Sequence, residues 1–301
     1  MRRDHGLLGW LQYAALRLAI FLFHMFPIDL NLKTARLLGR IWWRIMPRHR
    51  ERARAHLRYA YGRALSHREV DRIALHSMQQ LVMLVVEMMF TPRLINEWTW
   101  ARYVRLRDFG EGVRTLLNGR GVILVTGHYG NWELTGHVLS VFGLEVVAIM
   151  RPLDNAYLNR YLVRTRQAAG LQLLDKKGAS ESAKEILLRG GAVGFIADQN
   201  AGRKGLFVDF FGHQASTYKS IGLLAMGAEV PIIVGYARRT SDRLRYQLGI
   251  ERIIYPHEWR DREDPLLWIT QEYTSAIERF VRQDPGQYLW IHRRWKTRPK
   301  K

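Results

Sequence analysis

Residues 121–134 have the sequence GVILVTGHYGNWEL, an apolar run followed by a polar turn that contains two glycines. The β-branched and apolar residues 122–126 predict a short strand that is buried on both faces. His128 comes just past the end of this strand, and Glu133 falls at the predicted start of a helix. Ligands of open α/β sheets bind at the carboxyl ends of the strands. The stretch therefore predicts an α/β protein with a site at this strand end.

Strand-like and helix-like segments alternate from about residue 108 onward. The predicted strands are 122–126, 145–150, 171–174, 192–197, 231–237 and 244–250, and the predicted helices are 110–118, 134–142, 155–169, 181–189, 218–226 and 266–283. This alternation is typical of a mostly parallel central sheet flanked by helices. We predict an α/β core at residues 108–301, a helical extension at 31–107 and an N-terminal membrane helix at 1–30.

The N-terminal segment, residues 7–27, is largely apolar and long enough to cross about 30 Å of hydrocarbon. Arg17 interrupts it, and basic residues flank it on both sides. This pattern favours a helix embedded in or lying on the cytoplasmic face of a membrane, with an ordinary core helix as the alternative. The net charge of +20 indicates an anionic partner: nucleic acid, an anionic membrane surface, or a phosphorylated substrate or carrier.

The chemistry that His128 and Glu133 permit is proton abstraction. Histidine can remove a proton from an alcohol, and it does so better when a carboxylate holds its far ring nitrogen. We predict that Glu133 is that carboxylate. The chain has no cysteine and no G-x-S-x-G motif, so the base is expected to activate a hydroxyl of the substrate. Arg151 or backbone N–H groups near Gly127 and Gly130 are expected to hold the oxyanion.

Other candidate residues lie in loops or inside a helix. Arg151 follows the second predicted strand, where an arginine can bind phosphate or an oxyanion. Asp198 follows the fourth, where it could hold Arg151 or a substrate hydroxyl. The basic loops at residues 176–178, with Lys177, and 203–205, with Arg203, could grip phosphates or an acidic carrier, or be solvated turns. Glu87 lies inside an apolar helix opened by a capping box at residues 66–69, where it could pair with a buried base or face the substrate groove, and the sequence favours the pairing.

Two other classes of protein are compatible with parts of the sequence. A metal-dependent hydrolase would use His128, Glu133 and His137 as ligands, since the last two lie four residues apart on one helix face. A nucleic-acid-binding protein would use the positive charge and the basic C-terminal residues 291–299, which interleave cations with a tryptophan. The charge is spread along the chain, however, and no known nucleic-acid module is present.

Four blocks of sequence together resemble the late acyltransferases of lipid A biosynthesis, a branch of the lysophospholipid and glycerolipid acyltransferase group. The blocks are GHYGNWEL at 127–134, MRPLDNAYLNRYLVRTRQAAGLQLLDKKGA at 150–179, GFIADQNAGRKGLFVDFFGHQAST at 194–217 and YLWIHRRWKTRP at 288–299. The resemblance implies transfer of a fatty acyl chain from acyl carrier protein, or less often coenzyme A, to a hydroxyl of a glycolipid precursor. It implies an enzyme anchored in the bacterial inner membrane, facing the cytoplasm.

The resemblance also implies roles for particular residues. His128 and Glu133 occupy the histidine–acid dyad of the family, and glutamate stands where the wider group often has aspartate. Arg151, Arg164 and Asp198 occupy substrate-binding positions. The thioester is a co-substrate, and neither a metal nor another cofactor is expected. The expected partners are acidic acyl carrier protein, anionic membrane lipid and a phosphorylated glycolipid, which is a lipid A precursor or alternatively a phosphatidylinositol mannoside.

Overall fold

The computed structural model describes residues 6–150, 152–168, 170–175 and 178–299. The helices are α1 Leu7–His24, α2 Ile28–Ile45, α3 Pro47–Tyr61, α4 His67–Leu94, α5 Gly110–Leu117, α6 Trp132–Val141, α7 Ala156–Gln167, α8 Ala179–Leu188, α9 Ser220–Ala228, α10 Pro256–Trp259 and α11 Pro265–Gln283. The strands are β1 Val104–Arg107, β2 Val122–Thr126, β3 Val146–Met150, β4 Gln172–Asp175, β5 Ala192–Ile196, β6 Leu206–Phe210, β7 His213–Thr217, β8 Ile232–Arg239 and β9 Tyr246–Ile254.

The central sheet has the strand order β1-β9-β8-β2-β5-β3-β4. Strands β8, β2, β5, β3 and β4 run parallel to one another. Strand β9 is antiparallel to β8, and β1 is parallel to β9. Helices pack against the sheet, so the predicted fold class, a mostly parallel α/β sheet flanked by helices, is confirmed.

Strand β2 lies at the centre of this sheet because both of its faces are apolar. Ile123 and Val125 belong to the large core cluster that includes Ile277 and Phe280 of α11. Leu124, on the opposite face, packs towards a second cluster that contains Leu139 of α6. A strand buried on both faces needs a continuous apolar run instead of an alternating one. The run at residues 122–126 met that requirement, and the strand forms at those residues.

Two parts of the sheet structure were not predicted. Strand β1 lies inside the predicted helical extension, yet it pairs with β9 of the central sheet. Strands β6 and β7 form a separate antiparallel hairpin. Its turn residues, Phe211 and Gly212, both have positive φ angles, 57° and 71°. Asn-Gly is the usual signal for such a turn, and a phenylalanine at the first position conceals it.

Helix α1 is the most exposed apolar element of the described chain. Leu7, Leu8 and Phe21 have exposed fractions of 74%, 66% and 64%. By length and composition, α1 and α4 are each apolar enough to cross a membrane, but α4 is largely buried within the protein. Asn155 fixes α1 against α7, because its side-chain amide donates to the carbonyl oxygen of Gly9 at 3.0 Å. The apolar surface of α1 is therefore available to lipid.

Helix α4 begins at the predicted capping box, in which Ser66 and Glu69 bond to each other's backbone N–H groups. It continues to Leu94 and contains Pro92 in its last turn. Glu87 of this helix is fully buried and pairs with Arg239 of β8, whose Nη2 lies 2.6 Å from Oε1. The predicted pairing of Glu87 with a buried base is confirmed.

Glu87 also accepts hydrogen bonds at Oε2, from the hydroxyl of Tyr246 at 2.6 Å and from Nδ2 of Asn131 at 3.0 Å. Asn131 in turn caps α6, since its Oδ1 accepts from the N–H of Leu134 at 3.0 Å. This buried network ties α4 to the turn that contains His128.

Replacement of Glu87 by glutamine is expected to lower the free energy of unfolding by about 3–5 kcal/mol, because it leaves the buried Arg239 guanidinium without a counter-charge. Equilibrium unfolding in urea measures this loss. The matched control is Glu185→Gln, which breaks an exposed ion pair with Arg189 and is expected to cost less than about 1 kcal/mol. A loss at Glu87 as small as that of the control would contradict the proposed importance of the network.

Candidate active site

The centre of the site is a buried pair formed by His128 and Asp198. Nδ1 of His128 lies 2.6 Å from Oδ1 of Asp198, and the backbone N–H of His128 donates to Oδ2 at 3.0 Å. The pair forms because β2 and β5 are parallel neighbours in which Thr126 is aligned with Ile196. Two residues beyond each strand, the chain places His128 and Asp198 side by side.

The carboxylate of Asp198 is ionised in this pair. Burial by itself would raise the pKa of Asp198, but the attraction of the His128 ring and the hydrogen bonds from His128 outweigh burial and hold that pKa well below its usual range. An ionised Asp198 accepts a hydrogen bond from Nδ1–H, which leaves Nε2 of His128 as the proton acceptor. The pair therefore has the arrangement of a general base whose imidazole is oriented by a carboxylate.

Glu133 does not make the predicted contact with His128. Its two carboxylate oxygens accept hydrogen bonds from Nε of Arg166 at 2.9 Å and from Nη2 at 2.5 Å. The prediction that Glu133 holds the far ring nitrogen of His128 is wrong in this structure. Nδ1 of His128 is hydrogen-bonded to Asp198, and the carboxylate of Glu133 is hydrogen-bonded to Arg166. Glu133 and His128 nevertheless line the same cleft, and the catalytic role of each remains a prediction.

Aromatic and polar side chains surround the ring of His128. Trp132 packs edge-on against it, with ring centroids 4.9 Å apart. The ring centroid of His292 lies 4.5 Å from that of His128. Burial, reinforced by His128, lowers the pKa of His292 to about 4. His292 is therefore neutral at pH 7 and can stand beside a protonated His128 without repelling it. Nε2 of Gln199 lies 3.3 Å from Nε2 of His128.

The turn after β2 is held by its own backbone hydrogen bonds. The N–H groups of residues 128–131 donate to Asp198, Gly127, Gln287 and Ala237, respectively. A Cβ at Gly130 would lie 1.9 Å from the carbonyl oxygen of Ala237, so glycine is required there by the neighbouring strand. The N–H of Gly130 does not support the expected oxyanion site, because the carbonyl oxygen of Gln287 already accepts from it at 3.1 Å. The expectation for Gly127 and Arg151 stays a prediction.

A cleft of about 630 Å³ opens beside His128. We call it the deep cleft. Its walls are mainly apolar and come largely from β2, β3, β5, β8, α6 and α7. Trp132, Glu133 and Arg166 also line it. Leu124, Ala148 and Gly194 lie side by side on the sheet face that forms its floor. A pocket of this size and composition suits a long apolar ligand.

The other predicted site residues are dispersed. Asp198 is buried against His128 and does not line the deep cleft, so it is not placed to contact a substrate hydroxyl. Arg164 is exposed on α7 and lines a second cleft, described below. Arg203 is exposed on a 3-10 turn, Gly202–Lys204, away from the deep cleft. Arg151 and Lys177 lie outside the described residues.

The two alternative classes meet structural obstacles. Nε2 of His137 lies 2.7 Å from the carbonyl oxygen of Ile95, and the ring is buried, so this nitrogen is not available to a metal. Among the described residues, no group of three or more metal-binding side chains is assembled. The C-terminal basic segment is not a free tail, because Arg294 is buried and donates to the carbonyl oxygen of Ser216 at 2.7 Å. Leu289 donates its N–H to the carbonyl oxygen of His128 at 3.0 Å.

Arg166, Gln199 and His292 were not singled out from the sequence. Each lies in one of the four blocks that carry the resemblance, and Gln199 directly follows Asp198 after a predicted strand. That position was the available signal for Gln199. No local pattern indicates that Arg166 meets Glu133 or that His292 meets His128, because both contacts join segments that are distant along the chain.

The protein combines a mostly parallel α/β sheet with a buried histidine–aspartate pair beside a mainly apolar cleft, an arrangement suited to acid–base chemistry on an apolar ligand. The chain belongs to the bacterial lipid A biosynthesis acyltransferase family, whose model matches residues 5–297.

Three relatives illustrate the similarity. The lipid A biosynthesis lauroyltransferase of Escherichia coli (strain K12) is 30% identical over 188 residues, which cover 60% of this chain and 58% of that protein. The palmitoleoyltransferase of the same strain is 30% identical over 191 residues, 62% of this chain and 59% of that protein. A Haemophilus influenzae lipid A biosynthesis acyltransferase is 26% identical over 209 residues, 67% and 65% of the two chains. The matched regions span less than two thirds of these relatives.

Proposed function

We propose that this protein transfers a fatty acyl chain from an acyl thioester to a hydroxyl of a lipid A precursor. The observation that carries the proposal is the His128–Asp198 pair, which stands beside a deep apolar cleft. A general base makes an alcohol nucleophilic, and the cleft offers an apolar environment to the acyl chain. Membership of the lipid A biosynthesis acyltransferase family supports this substrate class.

The proposed reaction follows from Nε2 of His128, which can accept a proton. Nε2 of His128 removes the proton from the acceptor hydroxyl as its oxygen attacks the thioester carbonyl carbon. Asp198 stabilises the imidazolium that forms. The tetrahedral intermediate collapses, the C–S bond breaks, and His128 returns the proton to the departing thiolate. No acyl-enzyme forms, because the acceptor oxygen attacks directly.

Two side chains are placed to assist this reaction. The amide of Gln199, next to Nε2 of His128, can donate a hydrogen bond to the developing oxyanion. Glu133 fixes the guanidinium of Arg166 at the wall of the cleft, where that cation can attract an anionic part of either substrate.

The protein acts at a membrane in this proposal. The exposed apolar surface of α1 would enter the cytoplasmic face of the bacterial inner membrane, and arginines of α2 and α3 would meet lipid phosphates. The net charge of +20 would attract acidic acyl carrier protein and a phosphorylated acceptor. Either acyl carrier protein or coenzyme A can supply the thioester.

The direct test is an assay with purified full-length protein in detergent micelles. An acyl-carrier-protein thioester and an acyl-coenzyme A thioester are offered separately with a lipid A precursor, and products are identified by mass spectrometry. We expect the acceptor to gain the mass of one fatty acid less one water. Thioester hydrolysis without acceptor modification, or acylation of a phosphatidylinositol mannoside but not of the lipid A precursor, would reject the proposed function.

Gly194 is expected to set the depth to which an acyl chain enters. A Cβ at Gly194 would have only the carbonyl oxygen of Val147 within 4 Å, at 3.8 Å, so a longer side chain would project into the deep cleft. Gly194 pairs with Leu124, which is four residues before His128 and therefore about 13 Å along the strand. A side chain here would exclude the far end of a long acyl chain.

The Gly194→Leu variant is expected to lower kcat/KM for long-chain thioesters by roughly tenfold relative to short-chain ones, since two excluded methylenes cost about 1.6 kcal/mol. Competition between thioesters of different length, read by mass spectrometry, measures this ratio. Gly227→Leu is the control, because Gly227 is exposed on α9 with no neighbour within 4 Å of an added Cβ. An unchanged chain-length preference would place the acyl chain elsewhere.

A further inference from the structure

A second cleft, of about 600 Å³, lies between α1, α4 and α7. We call it the arginine cleft. Four arginines line it: Arg17 from α1, Arg93 from α4, and Arg160 and Arg164 from α7. None of the described residues that line it is a carboxylate. The four guanidinium groups therefore share one concave surface to which the described lining residues add no acidic side chain.

This concentration of charge opposes the stability of the fold unless an anion is bound. Arg160 and Arg164 lie four residues apart on one helix face, where like charges repel. Other arginines of the described chain, such as Arg54 and Arg279, have carboxylate partners at 2.6 and 2.8 Å. The guanidinium fork binds two phosphate oxygens at once, so a cluster of arginines is suited to a phosphate.

Tyrosine side chains hold part of the cluster in place. The hydroxyl of Tyr13 accepts a hydrogen bond from Nη1 of Arg17 at 3.0 Å, and the guanidinium of Arg17 lies 5.5 Å from the ring centre of Tyr161. These contacts connect α1 to α7. They hold the arginine of the apolar N-terminal helix at the lining of the cleft.

The arginine cleft is connected to the active site. A small recess shares Pro92 and Thr165 with the arginine cleft, and it shares Glu133 and Arg166 with the deep cleft. Arg160 precedes Arg166 by six residues, about 9 Å along the axis of α7. One ligand of moderate length can therefore reach from the arginines to the wall of the deep cleft.

We propose that the arginine cleft binds a phosphate monoester on the acceptor glycolipid and so positions the acceptor hydroxyl for His128. This inference rests on the proposed function for the identity of the acceptor. The exposed apolar face of α1 borders the same cleft, so a ligand that lies in the membrane interface can enter it directly. The phosphate then provides the binding energy, and the hydroxyl at the other end of the headgroup undergoes the reaction.

The test compares an acceptor that carries a phosphate monoester with the same acceptor after enzymatic removal of that phosphate. We expect the wild-type protein to have a higher kcat/KM for the phosphorylated form. The double variant Arg160→Ala/Arg164→Ala is expected to reduce the ratio of the two kcat/KM values by at least roughly tenfold, since hydrogen bonds to charged groups are lost. A ratio equal to that of the wild type overturns the proposal.

The matched control is Arg63→Ala/Arg68→Ala, which removes the same charge from two exposed arginines that do not line the arginine cleft. It is expected to leave the ratio unchanged. Vesicles with different fractions of phosphatidylglycerol distinguish the acceptor phosphate from ordinary lipid headgroups. The proposal fails if the double variant loses activity equally on both acceptors and this loss grows with the fraction of phosphatidylglycerol in the vesicles. In that case the cleft binds ordinary lipid headgroups.

A binding measurement separates this inference from the proposed function. In micelles, the His128→Ala protein is expected to bind the phosphorylated acceptor at least tenfold more tightly than the dephosphorylated one, and the added Arg160→Ala/Arg164→Ala changes are expected to remove that difference. If the wild-type protein transfers no acyl chain while this difference persists, the proposed function fails and the phosphate site stands. Equal affinity for both acceptors would overturn the phosphate site, whatever the activity.

Discussion

Replacing His128 by alanine is expected to lower the rate of acyl transfer by roughly 10²- to 10⁴-fold, because the variant has no group to remove the proton of the acceptor hydroxyl. Nε2 is the nitrogen of His128 that does not contact Asp198. Under saturating thioester, mass-spectrometric quantification of the acylated product gives the rate constant directly.

The control for this variant is His257→Ala, which removes an exposed histidine outside the site. Thermal unfolding of both variants verifies that they are folded, and sedimentation with vesicles verifies that they still bind membranes. A His128→Ala protein that is folded, bound to membranes and active at more than a tenth of the wild-type rate would refute the proposed base.

The Asp198→Asn variant is expected to lose roughly 10³- to 10⁴-fold in kcat, by analogy with the carboxylate of a serine-protease triad. The asparagine amide carries no charge to stabilise the imidazolium of His128. It can also donate to Nδ1, which would place the proton of the ring on Nε2 and abolish its basicity. The asparagine side chain has nearly the same shape as aspartate, so substrate binding is expected to be preserved. The expected result is therefore a lower kcat with an unchanged KM.

Glu133→Gln provides the contrast that decides between the two carboxylates. Its partner is Arg166, so we expect the loss of kcat to be roughly tenfold, much smaller than at Asp198. The opposite order of effects, with Glu133→Gln the more damaging, would mean that Glu133 supports His128 during catalysis and that the paired geometry rearranges when substrate binds.

The pH dependence of stability provides an independent check on the Asp198 pair. Because folding lowers the pKa of Asp198, its ionised form stabilises the protein at pH values above the ordinary carboxyl range, and this contribution is lost as the pH falls through that range and below it. The Asp198→Asn protein is therefore expected to lose less stability on acidification than the wild type.

Local features of the sequence were sufficient for the elements around the site. The apolar run at residues 122–126 predicted β2, the polar turn after it placed His128 at a strand end, and the capping box at residues 66–69 predicted the start of α4. These signals depend on residues that are adjacent along the chain, where period and turn chemistry act directly. The buried position of Glu87 among apolar residues likewise predicted a basic partner.

Only the tertiary structure decided which carboxylate meets His128. By spacing, Glu133 was the nearer acid, but α6 directs it to Arg166, while the pairing of β5 with β2 brings Asp198 from 70 residues away. Strand order depends on how whole helices and strands pack, and no local period records it. The same reason explains the burial of Arg294 and the proximity of His292 to His128. The sequence by itself predicted the fold class and the position of His128 at a strand end, and the packing of distant segments determined which carboxylate meets His128.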